Sequence, residues 1–203
     1  MRESLTNLLL VPGEYDDLDH VIEAIRSYDD AFHEEFGHEH DHFCLIGQDN
    51  VRRCLKVRDL RIRVDAADSL FEIFARVTAA RTAGCRITVS TPPGLHSPAL
   101  SLLETLTYDW AGAIEFVEES DAQLREVILR RQTDRVRYAA ADRVPREIRT
   151  ASAETGIYIA DAPVLGHGRV ELLWYVQEQS ISFSYHRYGN LGARAEEMRA
   201  ETE

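Results

Sequence analysis

Along this chain, apolar residues fall at a helical period in some stretches and at a strand period in others. "TNLLLV" (6–11) reads as a short strand stopped by the turn Pro12-Gly13. From Asp16 to about Phe36 the apolar positions Leu18, Val21, Ile22, Ile25, Phe32 and Phe36 predict one amphipathic helix. "LRIRV" (60–64) alternates apolar residues with arginine, which predicts an edge strand or a strand with one wet face. Ser69 and Glu72 form a Ser-x-x-Glu capping pair ahead of Phe71, Phe74 and Val77, and Gly84 is a natural stop for the helix they begin.

The alternation then continues. "CRITVST" is a strand closed by Pro92-Pro93-Gly94 and "SPALSLLETL" a helix. "AIEFVE" is a strand, "DAQLREVILRRQ" a helix, "RVRYA" a strand, "PREIRTASAE" a helix and "GIYIA" a strand. Strands and helices of this length in strict turn predict right-handed βαβ crossovers, hence an α/β fold with a doubly wound, mostly parallel sheet. After Gly168 the rhythm changes: "RVELLWYVQEQ" reads as helical and "SISFSYHRY" as a strand with nothing of its own to pair with, projecting as an arm. The charged tail "GARAEEMRAETE" reads as frayed. The expected division is 1–168 for the sheet domain with its N-terminal helix, 169–193 for the C-terminal helix and flap strand, and 194–203 for the tail.

Composition narrows the function. A 203-residue chain with 44% hydrophobic residues suits one domain with a sizeable core. A net charge of −12 argues against nucleic acid or an anionic membrane as partner, because both require a surplus of Lys and Arg. Three cysteines without CxxC spacing point to a reducing cytoplasm. Cys85, at the start of a strand, reads as core packing.

The densest candidate chemistry is "HEEFGHEHDHFCLIGQDN" (33–50). A zinc protease places two histidines four residues apart on one helix face, with Glu after the first. His33, Glu34 and His38 miss that spacing by one, and Gly37 intervenes. His38, His40 and His42 would share one face of a strand and could hold a metal there; a solvated, charged loop fits the same residues. The chain has no phosphate-binding glycine loop, no Gly-x-Gly-x-x-Gly fingerprint and no Gly-x-Ser-x-Gly elbow.

Longer strings carry a resemblance. "GQDNVRRCLKVRDLRIRV", "SLFEIFARVTAARTAGCRITVSTPPGLHSPALSLLETL" and "DRVRYAAADRVP" resemble the NAD-binding domain of the aldehyde dehydrogenase superfamily. "RVELLWYVQEQSISFSYHRYGN" resembles that family's C-terminal helix and oligomerisation-flap strand. With "EHDHFCLIGQDNVRR", "AIEFVEES" and "IADAPVLGHG", residues 38 to 193 are similar to the C-terminal region of long bacterial proline utilization A proteins. These are bifunctional proline dehydrogenase/L-glutamate-γ-semialdehyde dehydrogenases.

The resemblance implies an NAD site and also where it has eroded. The Asn that stabilises the oxyanion in the family is Asp68 here, a carboxylate that repels such charge. The lysine that reaches the cofactor ribose is Ser90, and the Gly-Ser-Thr turn beside the cofactor is Ala140-Ala141-Asp142. "GIYIADAPVL" runs almost straight into "GRVELLWY", where the family inserts its catalytic domain. None of Cys44, Cys54 or Cys85 stands where that domain's nucleophile would.

The expectation is a non-catalytic structural or interaction domain serving proline-to-glutamate catabolism, with no bound NAD or metal. It would meet a protein partner or a second copy through Ser182, Ser184, His186 and Tyr188 on one strand face and Ile181, Phe183, Tyr185 and Arg187 on the other, with Trp174 and Tyr175 as core anchors. The alternatives are a working part of an NAD-dependent 1-pyrroline-5-carboxylate dehydrogenase and a metal-binding protein built on the His33–His42 cluster.

Overall fold

The structure, a computed structural model, describes residues 17–197 except 111 and 187–189. The strand expected at 6–11 and the interface candidates Arg187 and Tyr188 lie outside the described residues. The first element is α1 (Leu18–Ala31), which buries Val21, Ala24, Ile25 and Tyr28. The single helix expected to reach Phe36 changes hand-hold at Phe32: a π turn covers Phe32–Phe36 and ends where the Gly37 amide donates to the Phe32 carbonyl, 2.8 Å. A Cβ at Gly37 would lie 2.9 Å from that carbonyl, so the glycine permits the wider turn.

Five strands form a parallel sheet: β2 (Asp59–Arg63), β3 (Arg86–Thr91), β4 (Ile114–Glu118), β5 (Arg135–Arg137) and β6 (Tyr158–Ala160). Their spatial order is β4-β3-β2-β5-β6. The connecting helices are α2 (Leu70–Thr82), α3 (Pro98–Leu106), α4 (Asp121–Leu129) and α5 (Arg146–Thr155). Helices α1, α2 and α3 share one buried cluster with β2 and β3, while α4 and α5 share a second with β5 and β6. This is a doubly wound α/β fold, as the alternation of elements predicts.

Local chemistry sets the helix starts. Ser69 accepts from the Glu72 amide and Glu72 returns the bond to the Ser69 amide, completing the expected capping box. Ser120 and Gln123 repeat it at the start of α4. Gly84 takes φ +80 after α2, where the chain reverses into β3.

Two expectations are corrected. "LRIRV" does not form an edge: β2 sits in the centre of the sheet. Leu60 and Ile62 enter the apolar core, and the arginines alternate as read, but each is matched rather than wet. Arg61 meets Glu119 at 2.7 Å, and Arg63 meets Ser90 at 2.9 Å and Asp121 at 2.7 Å. Nor is "RVELLWYVQEQ" a helix. One turn, α6 (Gly168–Glu171), and a 3-10 turn at Leu172–Trp174 give way to β7 (Val176–Ser184).

The projecting arm is corrected with it. β7 pairs antiparallel with β1 (Gln48–Lys56) through nine registered positions, Gln48 opposite Ser184 to Lys56 opposite Val176. A strand over a hundred residues away supplies the partner, which no local pattern signals.

The ribbon is fastened to the sheet by two arginines of β5, Arg135 half-buried and Arg137 buried. Arg135 donates to the carbonyls of Trp174 (2.6 Å) and Val176 (3.1 Å). Arg137 pairs with Glu171 at 2.9 Å, both fully buried. Glu171 also accepts from the Tyr175 hydroxyl at 2.8 Å and the Leu165 amide at 2.9 Å. Tyr175 is a core residue, as expected, and Trp174 is half-buried.

Gly168 sets the approach of α6 to α1: a Cβ there would run into the Ser27 carbonyl and sit 2.8 Å from the Ala31 Cβ. Gly168→Ala is expected to lower stability by about 1–3 kcal/mol through overpacking. A urea unfolding midpoint equal to the parent's would show that α6 slides without cost. No helix among the described residues is long and apolar enough to cross a membrane.

Candidate functional site

In a doubly wound sheet, ligands bind where the strand order reverses, outside the carboxyl ends of the strands. Here that point lies between β2 and β5. The residues converging on it are Arg63 and Asp65 at the end of β2, Asp68 and Glu72 at the start of α2, Tyr138 after β5 and Arg143 in the following 3-10 turn (Ala141–Arg143).

Asp68, Glu72 and Arg143 form a network of ion pairs with Arg76 of α2. Asp68, whose side chain is 1% exposed, binds the guanidinium of Arg76, which is fully buried. Arg143 reaches Asp68 at 2.6 Å and Glu72 at 2.9 Å from the other side. Arg76 also donates to the Arg63 carbonyl at 2.8 Å. Burial pulls the Arg76 guanidinium below its ordinary value, and the Asp68 charge opposes that. Ser90 is buried and donates to Glu119 at 2.6 Å while accepting from Arg63. Tyr138 is buried directly after β5, and burial raises its phenol.

Ala140 adopts extended backbone, φ −154, at the head of its turn. Of the three positions that the resemblance singled out, Asp68 and Ser90 make structural bonds, and Ala140 offers no side-chain donor. Arg76 was not singled out from the sequence. Its signal was a lone charge inside the run "IFARVTAA" of α2.

These residues do not fit a dinucleotide. A pyrophosphate seeks free cationic or amide donors. The arginines at the reversal point carry carboxylate partners, and the exposed groups at this rim include Asp142. Two of the cysteines sit where the thiolate is disfavoured. Burial pushes the Cys85 thiol up to about 12 and raises that of Cys54. Cys44 lies in the loop before β1 at φ +45.

The histidines take structural places in the same loop. His40 forms an isolated bridge to Arg52 on the outer edge of β1, and its ring Nε2 lies 2.9 Å from the Glu35 carbonyl. His42 stacks on His40 with ring centroids 5.2 Å apart, and the His33 and His38 rings meet edge to face. Among the described residues no group of three His, Cys, Asp or Glu side chains could hold a metal ion. Glu35 anchors this loop to β1: a hydrogen bond from Arg52 and their charge attraction hold its carboxyl below the usual range. A lowered carboxylate pKa stabilises above the unfolded-state value and is lost as pH falls through the folded one. The loop is therefore expected to gain amide exchange first on acidification, before the sheet does; simultaneous loss would contradict the anchor.

The second concentration of unusual surface is the ribbon. Residues directly opposite in an antiparallel pair share a face. Val51, Leu55, Ile181 and Phe183 line one face. On the other, Asn50 accepts from Ser182 at 3.0 Å, and Arg52, Cys54, Val176 and Glu178 close a hollow against Phe36 and Leu173. Among the described residues, six of the eleven exposed large apolar side chains belong to the ribbon and its leading loop: Phe43, Leu45, Ile46, Leu55, Ile181 and Phe183.

The interface candidates divide accordingly. Phe183 lies open, whereas Ser182 and Ser184 share the face of Asn50. The Tyr185 hydroxyl accepts from the Gly47 amide at 3.0 Å, and His186 Nδ1 lies 3.0 Å from the Gly47 carbonyl. Arg194 lies over the Tyr185 ring at 3.9 Å and binds Asp49. Sequence reasoning missed Phe43, Leu45 and Ile46, which read there as part of a connection.

Strand order and helix placement define the class: an α/β chain with an aldehyde-dehydrogenase-like fold. It is similar to the NAD+ complex of aldehyde dehydrogenase from Bacillus cereus, with TM-score 0.59, 17% identity, 71% of this chain covered and 30% of that one. It is also similar to proline utilization A from Corynebacterium freiburgense, with TM-score 0.54 and 22% identity. That match covers 87% of this chain and 14% of the other. A bifunctional proline utilization A protein superposes with TM-score 0.57 and 19% identity over 72% of this chain and 15% of its own length. The chain therefore spans a small part of each of these proteins. No protein-family model and no curated protein matches it.

Proposed function

We propose that this chain is a non-catalytic, aldehyde-dehydrogenase-like interaction domain serving proline-to-glutamate catabolism. In this reading it packs on a semialdehyde dehydrogenase and helps enclose the intermediate that passes to it. The observation that carries the reading is the closed Asp68–Arg76–Arg143–Glu72 network at the strand-order reversal, which occupies with its own ion pairs the place where the fold otherwise receives a cofactor. Similarity to proline utilization A over 87% of the chain supports the metabolic setting. The segment joining β6 to β7, residues 161–175, contains no cysteine. The apolar loop and outer ribbon face supply a surface for the dehydrogenase, because exposed apolar side chains concentrated on one element mark interaction sites.

Isothermal titration with NAD is expected to give no binding, and micromolar affinity would overturn the reading. Mixed with a proline utilization A dehydrogenase domain, the chain is expected to co-elute from a sizing column. The double variant Phe43→Glu/Ile46→Glu should lose that association while unfolding at the parent's midpoint, since both side chains are exposed. Co-elution that survives the double variant would place the contact elsewhere.

A further inference from the structure

The π turn, the ribbon and α6 enclose a hollow of about 430 Å³, within the range of about 300–1,000 Å³ usual for small-molecule sites. Phe36 and Val176, both buried, form its apolar floor, with Leu173 exposed beside them. Four charged side chains line the same hollow. Glu35 comes from the π turn, Arg52 and Glu178 from the ribbon, and Arg169 from α6.

These charges keep bonding capacity in reserve. Arg52 gives Nη2 to Glu35, and the same atom lies 3.4 Å from His42 Nε2. Its Nη1 makes no hydrogen bond among the described residues and approaches Glu178 at 3.7 Å. Arg169 meets Glu34 at 3.0 Å with both side chains largely exposed, so water competes for that pair. The hydrogen bond from Arg52, with the charges of Arg52 and Arg169, holds the Glu35 carboxyl down, so both guanidiniums act on one place. The strand-order reversal contrasts with this, because its Asp68–Arg76 pair is buried and leaves a ligand nothing to take.

We propose that this hollow binds a free α-amino acid with a small apolar side chain. Arg52 Nη1 and Arg169 take its carboxylate, Glu178 takes its ammonium, and its side chain lies on Phe36, Val176 and Leu173. The mixed charge selects for this class. A simple anion would meet Glu35 and Glu178, and a simple cation would meet Arg52 and Arg169, whereas a zwitterion offers each sign its complement. An uncharged apolar molecule would strip water from the four charges and return no bond. A charged side chain would be carried onto the apolar floor without a partner. Phe43 and Ile46 do not line the hollow, so this binding is independent of the dehydrogenase contact proposed above.

The experiment is saturation-transfer NMR and isothermal titration of the full 203-residue chain with L-valine, L-proline, isovalerate, valinamide and L-aspartate. L-Valine and L-proline are expected to bind with dissociation constants of about 0.1–1 mM, as suits ligands of few atoms at an open site. Isovalerate lacks the ammonium, valinamide lacks the carboxylate and L-aspartate carries a charged side chain, so each should bind about tenfold or more weakly. Glu178→Gln should bring L-valine down to the affinity of isovalerate, and Arg169→Gln should weaken L-valine about tenfold. Both side chains are exposed, so both variants should unfold at the parent's urea midpoint. No binding of either amino acid at about 10 mM overturns the proposal. So does isovalerate or valinamide binding as tightly as L-valine, or L-valine binding unmoved by both substitutions. Phe43→Glu/Ile46→Glu should still bind L-valine, and Glu178→Gln should still co-elute with the dehydrogenase domain, so the two proposals fail separately.

Discussion

Replacing Asp68 with alanine is expected to destabilise the fold by about 3–5 kcal/mol, because it strands a buried guanidinium. Arg76 is fully buried, and Asp68 is its carboxylate partner in the structure. Burial already disfavours its charge, and Asp68 is the main opposing influence. The urea midpoint should fall with an unchanged slope. A double variant, Asp68→Ala/Arg76→Met, should regain most of the loss, because an apolar side chain of similar length no longer carries a charge to compensate. A cost under about 1 kcal/mol for the single variant would mean that water reaches Arg76 and that the network is not closed. Asp68→Asn restores the residue type that the aldehyde dehydrogenase resemblance expects at this place. It should nevertheless give no NAD binding, since Ser90 and Arg63 keep their partners and Arg143 keeps Glu72.

Glu171→Ala should cost about as much, roughly 3–5 kcal/mol, for the same reason and with a different local consequence. The substitution strips a fully buried carboxylate from Arg137 and removes the acceptor of the Tyr175 hydroxyl and the Leu165 amide. These bonds tie α6 and the start of β7 to the parallel sheet. Limited proteolysis should therefore cut within residues 161–176 well before it attacks β2 or β3, while Asp68→Ala should show no such local preference. Equal cleavage patterns in the two variants would mean that Glu171 supports the whole domain rather than the attachment of the ribbon. Glu171→Gln keeps an acceptor and should lie between alanine and the parent.

Much of the architecture was legible because its causes are local. The capping pair Ser69 and Glu72, the stop at Gly84 and the repeated strand–helix spacing depend on residues a few positions apart. Such signals survive whatever the rest of the chain does. Asp68, Ser90 and Ala140 could be singled out from matching strings alone. What two of them bind was not readable, because the partners lie on other elements: Arg143 is 75 residues from Asp68, and Glu119 is 29 from Ser90. The helical reading of 169–179 failed for a related reason. Tyr175 and Val176 are drawn into the core and the following residues into pairing with β1, and these tertiary contacts override a weak local preference.

The sequence by itself determined the βαβ succession, the helix boundaries that caps and glycines set, and the resemblance to the aldehyde dehydrogenase superfamily. Tertiary structure alone decided that β2 is central, that β7 finds β1, and that Arg76 and Arg137 become buried cations. It also decided that Phe43, Leu45, Ile46 and Phe183 are left open to solvent. The physical reason is range. Turns and caps act over one helical turn, whereas strand order, ion pairing and exposure depend on which distant elements the whole core brings into contact.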